Sequence, residues 1–361
     1  MKAAIYRGPG EFTMGELPMP KAGKAGVVVK VKYCGICPII DLNQWQNMAA
    51  MNVGKAIGHE WVGEVVEVGP DAAHLVKKGD TLYTFDPFVP CYHCAQCQQG
   101  DYWRCENWGQ GMGKNQGAFA EYMWIPFITP KSHIVPPKSM SFQDAALIEP
   151  LHLSIGLAPK VKPGETVVII GQHIIGLGLT AQLKKLGTPS KIITSAISKL
   201  HCDASEEVGA DVVINGVEKD VVREVMKITK GRGADIVFIC DARPLSIIQG
   251  LTCARDSGKA LIAGRSLMPF DPHAAAHWVG PDAATREKAS IFDPSIVFFE
   301  SAWGTLGPRI PLYQGAVDLI KAGKITAKKH VTQVFPLEEI NEAFKTAMDF
   351  HESIEVQIKL P

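Results

Sequence analysis

The rhythm of hydrophobic and polar positions changes three times along the chain. Over the first part, short apolar runs at residues 2–6, 27–33 and 61–68 are separated by Gly and Pro, as strands joined by turns and loops would be. The first run enters a Gly-Pro-Gly turn. Residues 143–158 switch to helical spacing, with Ser141 as a predicted N-cap and Pro159 close behind. From Thr166 onward, strands predicted at 166–170, 191–195, 212–214, 235–239 and 259–263 alternate with helical stretches. Val/Ile strands apolar on both faces and alternating with helices build a parallel, doubly wound sheet. After about residue 295 the texture changes again, ending in an amphipathic helix at 337–348 and a strand at 353–360. The pattern predicts an α/β protein whose doubly wound domain, 155–295, is inserted in a β-rich domain formed by 1–154 and 296–361. No internal repeat or low-complexity tract interrupts it.

Composition agrees with two globular domains. The chain has 361 residues, 46% hydrophobic and 20% charged. Lys plus Arg and Asp plus Glu number 37 each, and this neutral balance gives no general attraction to nucleic acid or an anionic membrane. No apolar run approaches the ~20 residues that span a bilayer, and residues 1–10 lack the apolar core of a signal peptide. Four of the nine cysteines crowd into 91–105, which fits metal binding in a reducing compartment better than a secreted disulfide scaffold. The expected location is the cytoplasm.

Cys91, Cys94, Cys97 and Cys105 are spaced C-x2-C-x2-C-x7-C. Four thiolates on one lobe can close a tetrahedral shell around a structural zinc, with reduced thiols or two local disulfides as the alternatives. His93 lies inside this cluster as a spare residue. A second group is dispersed: Cys37, His59-Glu60 and Glu149. Thiolate, imidazole and carboxylate suit an open, catalytic zinc, although each piece alone could be an ordinary core or surface residue.

Taken together these pieces resemble the zinc-containing medium-chain dehydrogenase family over nearly the whole chain. The resemblance is carried by Val31-Lys-Tyr-Cys-Gly-Ile-Cys37, Gly58-His-Glu-Trp-Val-Gly-Glu-Val-Val-Glu-Val-Gly69, Gly79-Asp80, the four-Cys lobe, Gly117-Ala-Phe-Ala-Glu-Tyr122 and Ala145-Ala-Leu-Ile-Glu-Pro150. It implies a Rossmann domain inserted in a GroES-like catalytic domain, two zinc ions per chain, and a homodimer or homotetramer. It also implies Cys37, His59 and Glu149 around the catalytic zinc, with Glu60 as an exchangeable ligand and Cys34 as a buried non-ligand thiol. Glu149, in place of the Cys of liver-type enzymes, resembles the polyol and secondary-alcohol branch.

A second chemistry sits between the strand at 166–170 and the following helix. Gly171-Gln-His-Ile-Ile-Gly176-Leu-Gly178 is a variant of the dinucleotide turn, which presents backbone N–H groups and a helix N-terminus to a pyrophosphate. Its middle glycine is His173, and Ile175 precedes the closing Gly176. In Ile192-Ile-Thr-Ser-Ala-Ile-Ser-Lys199, Ala196 stands where an acid would grip the ribose diol. The missing carboxylate, with Ser195, Ser198 and Lys199 nearby, points to NADP rather than NAD. The alternative is that Lys199 merely opens the next helix in solvent.

Two departures mark the chain. In the family a Ser or Thr two residues past the zinc Cys passes on the alcohol proton; here Cys37 is followed by Pro38-Ile39-Ile40, with Asp41 displaced by one residue and Asn43 near the place of a relay His. Glu60, His152 or water would have to serve instead. The segment 265–292, with His273, His277 and Trp278, is long, and Trp45, Trp108, Trp124 and Trp278 are either pocket or core residues. The expected function is hydride transfer between NAD(P) and a small secondary alcohol, or polyol, and its ketone. The missing relay leaves a zinc-retaining reductase of an activated C=C or C=N bond as the competing reading, and a non-enzymatic nucleotide-binding protein as a third.

Overall fold

The computed structural model describes residues 1–46, 53–84, 94–99, 106, 117–128, 133–241, 243–262 and 309–361. The chain divides into two compact units. One comprises Met1–His152, Pro308–Asp349 and Glu355–Pro361; the other comprises Leu153–Gly307 and Phe350–Ile354.

In chain order the first unit contributes β1 (Lys2–Gly8), β2 (Glu11–Glu16), β3 (Val27–Gly35), α1 (Asp41–Gln46), β4 (Glu60–Val68), β5 (Thr81–Thr84), α2 (Ala95–Gln98), β6 (Tyr122–Ile125), β7 (His133–Ile134) and α3 (Phe142–Ala146). Helix α4 (Ile148–Leu157) leads to β8 (Thr166–Ile170), α5 (Ile174–Leu186), β9 (Lys191–Ala196), α6 (Lys199–Val208), β10 (Val212–Asn215), α7 (Val221–Ile228), β11 (Ala234–Ile239), α8 (Pro244–Cys253) and β12 (Ala254–Ile262). The chain then adds α9 (Arg309–Lys321), α10 (Ala327–His330), β13 (Val331–Pro336), α11 (Ile340–Met348) and β14 (Glu355–Lys359). Among the described residues no helix is long and apolar enough to cross a membrane.

In the first unit, β1 and β2 form a hairpin, and a larger sheet runs β13-β14-β3-β4-β5-β7, with β6 also on β3. Strand β14 lies parallel to β13 and antiparallel to β3, so a late segment is sewn into the middle of a sheet begun by early ones. An aromatic cluster packs α11 onto the other elements: Phe344 lies 4.8 Å from Phe12 and 5.6 Å from both Trp45 and Phe119. Trp45 is therefore a core residue. Trp124 donates from Nε1 to the Ala22 carbonyl at 3.1 Å, while Trp108, Trp278 and the segment 265–292 lie outside the described residues.

In the second unit the strands are all parallel in the order β10-β9-β8-β11-β12. The order reverses direction at β8, which is the doubly wound arrangement. Both faces of the strands are covered, and Val168, Ile170, Ile193, Ile214, Val237 and Ile239 form its core with Val221 and Val225 of α7.

Three elements depart from the sequence pattern. The helix expected over 143–158 is two helices, broken at Leu147. Pro150 has no N–H for the Ala146 carbonyl and would clash with it, so a new helix starts with Pro150 in its first turn, where that N–H is not needed. Ser141 does cap α3, its hydroxyl accepting from the Asp144 N–H. Strand β12 begins at Ala254 rather than 259, its polar opening tied down by Arg255 to Asp235 at 2.7 Å. The helix expected at 337–348 opens as a 3-10 turn, Leu337–Glu339.

Candidate metal centre and dinucleotide pocket

Pairing of β3 with β4 brings Gly35 opposite Glu60, so Cys37, just beyond β3, meets His59 and Glu60 at the start of β4. One ligand atom from each of Cys37, His59 and Glu60 lies within 4.8 Å of the other two, and all three residues are buried. The first residue of α1 holds the group together. Asp41 accepts from the Cys37 N–H at 3.1 Å through Oδ2 and meets His59 Nδ1 at 3.2 Å through Oδ1, which leaves Nε2 to coordinate. The residue inserted before Asp41 is absorbed in the turn: the N–H groups of Asp41 and Leu42 both donate to the Cys37 carbonyl, at 3.1 and 3.2 Å. The Ile40 N–H donates to the Cys37 sulfur at 3.3 Å. Asp41 thus reaches His59 despite its displacement in sequence.

Glu355, the first residue of β14, faces Glu60 across β3. A Cβ placed on Gly35 would lie 2.5 Å from an oxygen of each carboxylate, so only glycine leaves both carboxylates room there. Among the described residues only the Cys37 thiol is placed to donate to Glu60, and the two carboxyls can bond each other only by sharing a proton. Glu149 is buried at the start of α4 and adds its charge to Glu355, but it stays outside the Cys37–His59–Glu60 group. His152 is committed through Nδ1 to the Glu149 carbonyl.

Burial dominates the electrostatics. It pushes the Cys37 thiol up to about 12, with the Glu60 charge adding to the rise. Burial raises Glu60 to about 7, offset in part by His59, and burial with the charge of Glu60 raises Glu355 well above the ordinary carboxylate value. Burial alone would lower His59, but the charge and hydrogen bond of Asp41, with those of Cys37, lift it above its ordinary value. A divalent cation reverses each of these penalties, because it favours thiolate, neutral imidazole and carboxylate together. The donor set and the unpartnered Glu60 oxygens therefore fit zinc. Cys34 is fully buried, its sulfur directed to the Gly35 carbonyl at 3.4 Å, and burial raises it too.

In the second unit the turn from β8 to α5 lies at the carboxyl end of the sheet, where doubly wound folds bind nucleotides. A cavity open to solvent lies there, bordered by Gly171, His173, Ser195, Ala196, His201 and Arg243. A Cβ on Gly176 would stand 2.0 Å from the Gly171 carbonyl oxygen, so α5 can start this close to β8 only with glycine. These features fit a dinucleotide turn. Ile175 faces inward, its carbonyl accepting from the Ser154 hydroxyl at 2.8 Å. Ser198 caps α6 and meets His201 Nδ1 at 2.8 Å. Lys199 is exposed and pairs with both Asp203 oxygens at 2.6 and 2.7 Å, which turns it to a surface ion pair rather than to the cavity.

The alcohol dehydrogenase GroES-like domain family matches residues 23–135, and the zinc-binding dehydrogenase family matches residues 175–291. An L-threonine 3-dehydrogenase from Pyrococcus abyssi is 33% identical over 255 residues, covering 69% of this chain and 71% of its own. The chain belongs to the zinc-dependent medium-chain alcohol and polyol dehydrogenases. This medium-chain dehydrogenase is also similar to a sorbitol dehydrogenase from Bacillus subtilis, 28% identical over 99% of this chain and 97% of the relative. It shares its fold with galactitol-1-phosphate dehydrogenase from Escherichia coli, with a TM-score of 0.78, 20% identity and coverage of 99% and 100%.

Within this dehydrogenase the structure brings Cys37, His59 and Glu60 together, and Gly171, His173, Ser195 and Ala196 around one cavity. Of the four-Cys lobe, Cys94 and Cys97 are buried at the two ends of the first turn of α2, while Cys91, His93 and Cys105 lie outside the described residues. Sequence reasoning passed over Asp41 as a holder of His59, and missed Glu355, His201 and Arg243. Arg243 carried a positional signal, four residues past the end of a parallel strand; the other contacts cross long stretches of chain and carried none.

Proposed function

We propose that this oxidoreductase transfers hydride between NAD(P) and a small secondary alcohol or polyol, interconverting it with the ketone. The observation that carries the reading is the buried Cys37–His59–Glu60 group, held by Asp41, at the end of β3 and start of β4. Zinc bound there would polarise the C–O group of the substrate. Cys37 and His59 serve as fixed ligands and Glu60 as the exchangeable one. Glu149 completes the surroundings from α4, where it can hold a water or enter the ligand set on rearrangement. A second, structural zinc belongs to Cys91, Cys94, Cys97 and Cys105. The cofactor enters at Gly171–Gly176, and the absence of an acid at Ala196 supports use of NADP at least as readily as NAD. The protein works in the cytoplasm as a homodimer or homotetramer.

The test follows NAD(P)H absorbance against secondary alcohols, polyols, their ketones and an enal, beside elemental analysis. Turnover of an alcohol–ketone pair, two zinc ions per chain and a folded but inactive Cys37→Ser variant are expected. Reduction of the enal with every alcohol and ketone inert would overturn the alcohol reading.

A further inference from the structure

His173 gives the dinucleotide turn an ionisable ring where a glycine would have none. It caps α5, a helix of 13 residues, in an extended conformation (φ −74°, ψ −174°), and its ring borders the cavity. The ring is 5.3 Å from the His201 ring, at 82°, and 5.3 Å from the Phe350 ring, at 64°. Arg243 lies over the same Phe350 ring at 5.6 Å.

Every element packed on His173 can be assigned a charge. From the β11–α8 connection come Asp241 and Arg243, paired with each other at 2.5 Å, so the one carboxylate there is already answered by a cation. From α6 comes His201, whose Nε2 donates to the Ser353 carbonyl at 3.1 Å and whose Nδ1 meets Ser198. From the segment Phe350–Ile354 come the carbonyls of Ser353 and Ile354, which His173 itself meets, and His351, which acts on His201. The N-terminus of α5 adds its partial positive charge. This environment holds the imidazoles neutral. Burial lowers His173, opposed by Asp241 and aided by Arg243, and burial with His173 lowers His201 to about 3.

A pyrophosphate changes the balance, because it brings two negative charges to a helix N-terminus bordered by a neutral imidazole. We infer that His173 is a phosphate-recognising residue of this protein, and that it takes up a proton when the dinucleotide binds. The inference rests on the reading of this cavity as the nucleotide site. The proton comes from solvent and adds to a ring nitrogen, with no bond broken in the cofactor. By linkage, a group protonated only in the complex makes binding tighten as pH falls, by up to tenfold per pH unit while one full proton is taken up. In the complex His173⁺ offers the phosphate a charge-assisted hydrogen bond that no glycine turn supplies.

The probe is NADH, which has no group titrating near neutrality, whereas the 2′-phosphate of NADPH titrates near pH 6. Binding of NADH to the zinc-loaded protein is measured by calorimetry at about pH 6–8, in buffers of different ionisation heat. Uptake approaching one proton per NADH in the lower half of that range, with affinity rising several-fold per unit of falling pH, is the expected result. His173→Gln and His173→Gly should still bind NADH, with uptake abolished and a flat pH dependence. Binding without proton uptake in the unmodified protein overturns the role of His173. So does uptake that persists undiminished in both variants, which would place the proton elsewhere. Absence of NADH and NADPH binding at every pH overturns the nucleotide site itself, and this inference with it.

Discussion

Glu355 is the residue whose environment is least comfortable. Its carboxyl is buried against that of Glu60 and, among the described residues, takes no donor from any third group. A carboxyl whose folded value is raised holds its proton more tightly folded than unfolded. Its contribution therefore favours folding below the ordinary carboxylate value, and is lost as pH rises through the folded value. For Glu60 that loss is centred on about pH 7, and Glu355 follows in the same direction. Metal-free protein should accordingly lose thermal stability from about pH 5 to pH 8. Glu355→Gln should flatten that fall and stabilise the metal-free protein at pH 8 by ~1–3 kcal/mol, the usual cost of a buried polar group without a partner. Melting of chelator-treated protein across this range checks it; identical curves for variant and parent would show that folding leaves the proton affinity of Glu355 unchanged. At this scale the motif residues Cys37, His59 and Glu60 were legible because their types and local order carry the chemistry. Asp41 could be read as an acid near Cys37, but not as the partner of His59. Nothing at position 355 announced a neighbour almost 300 residues earlier.

Among the elements, the strands of the doubly wound sheet were legible to within a residue or two at β8, β9, β10 and β11, because strands covered on both faces must be apolar throughout. The opening of β12 was hidden, since the polar Arg255 and Asp256 break the apolar pattern and the predicted strand starts only at Lys259. Its stability comes instead from Asp235, which accepts from the Thr166 N–H at 2.9 Å and from Arg255 and Arg232 at 2.7 Å each. One helix end was legible, at α3, where Ser141 meets an unpaired N–H. Asp220 accepts from the Arg223 N–H at 3.0 Å and caps α7, an amphipathic helix of only eight residues. So short a helix depends on its cap and on Val221 and Val225 beneath it. Asp220→Ala should cost ~1 kcal/mol of stability, read from denaturant midpoints at unchanged m-value. A loss below a few tenths would mean that packing alone holds α7.

For the molecule as a whole, the hydrophobic rhythm foretold a doubly wound unit interrupting a β-rich one, yet not which strands of the latter are neighbours. Period-two patterning says which face of a strand is buried and leaves its partners open. The decisive join is β14, which stands between β13 and β3 with Val356 and Ile358 buried. Ile358→Ala should therefore destabilise the β-rich unit by ~2–5 kcal/mol and speed loss of zinc to a chelator, because β3 ends two residues before Cys37. Chelator-exchange kinetics unchanged in a variant that melts lower would uncouple the strand from the metal centre. The same join sets an order of events in the cell. Strand β3, with the Cys37 thiol just beyond it, leaves the ribosome roughly 320 residues before the strand that must lie beside it, at synthesis rates that make the interval tens of seconds. Through that interval the nascent thiols are exposed and the sheet has an open edge, so a chaperone shielding that edge, and a supply of metal arriving after translation rather than during it, would decide the yield of working enzyme.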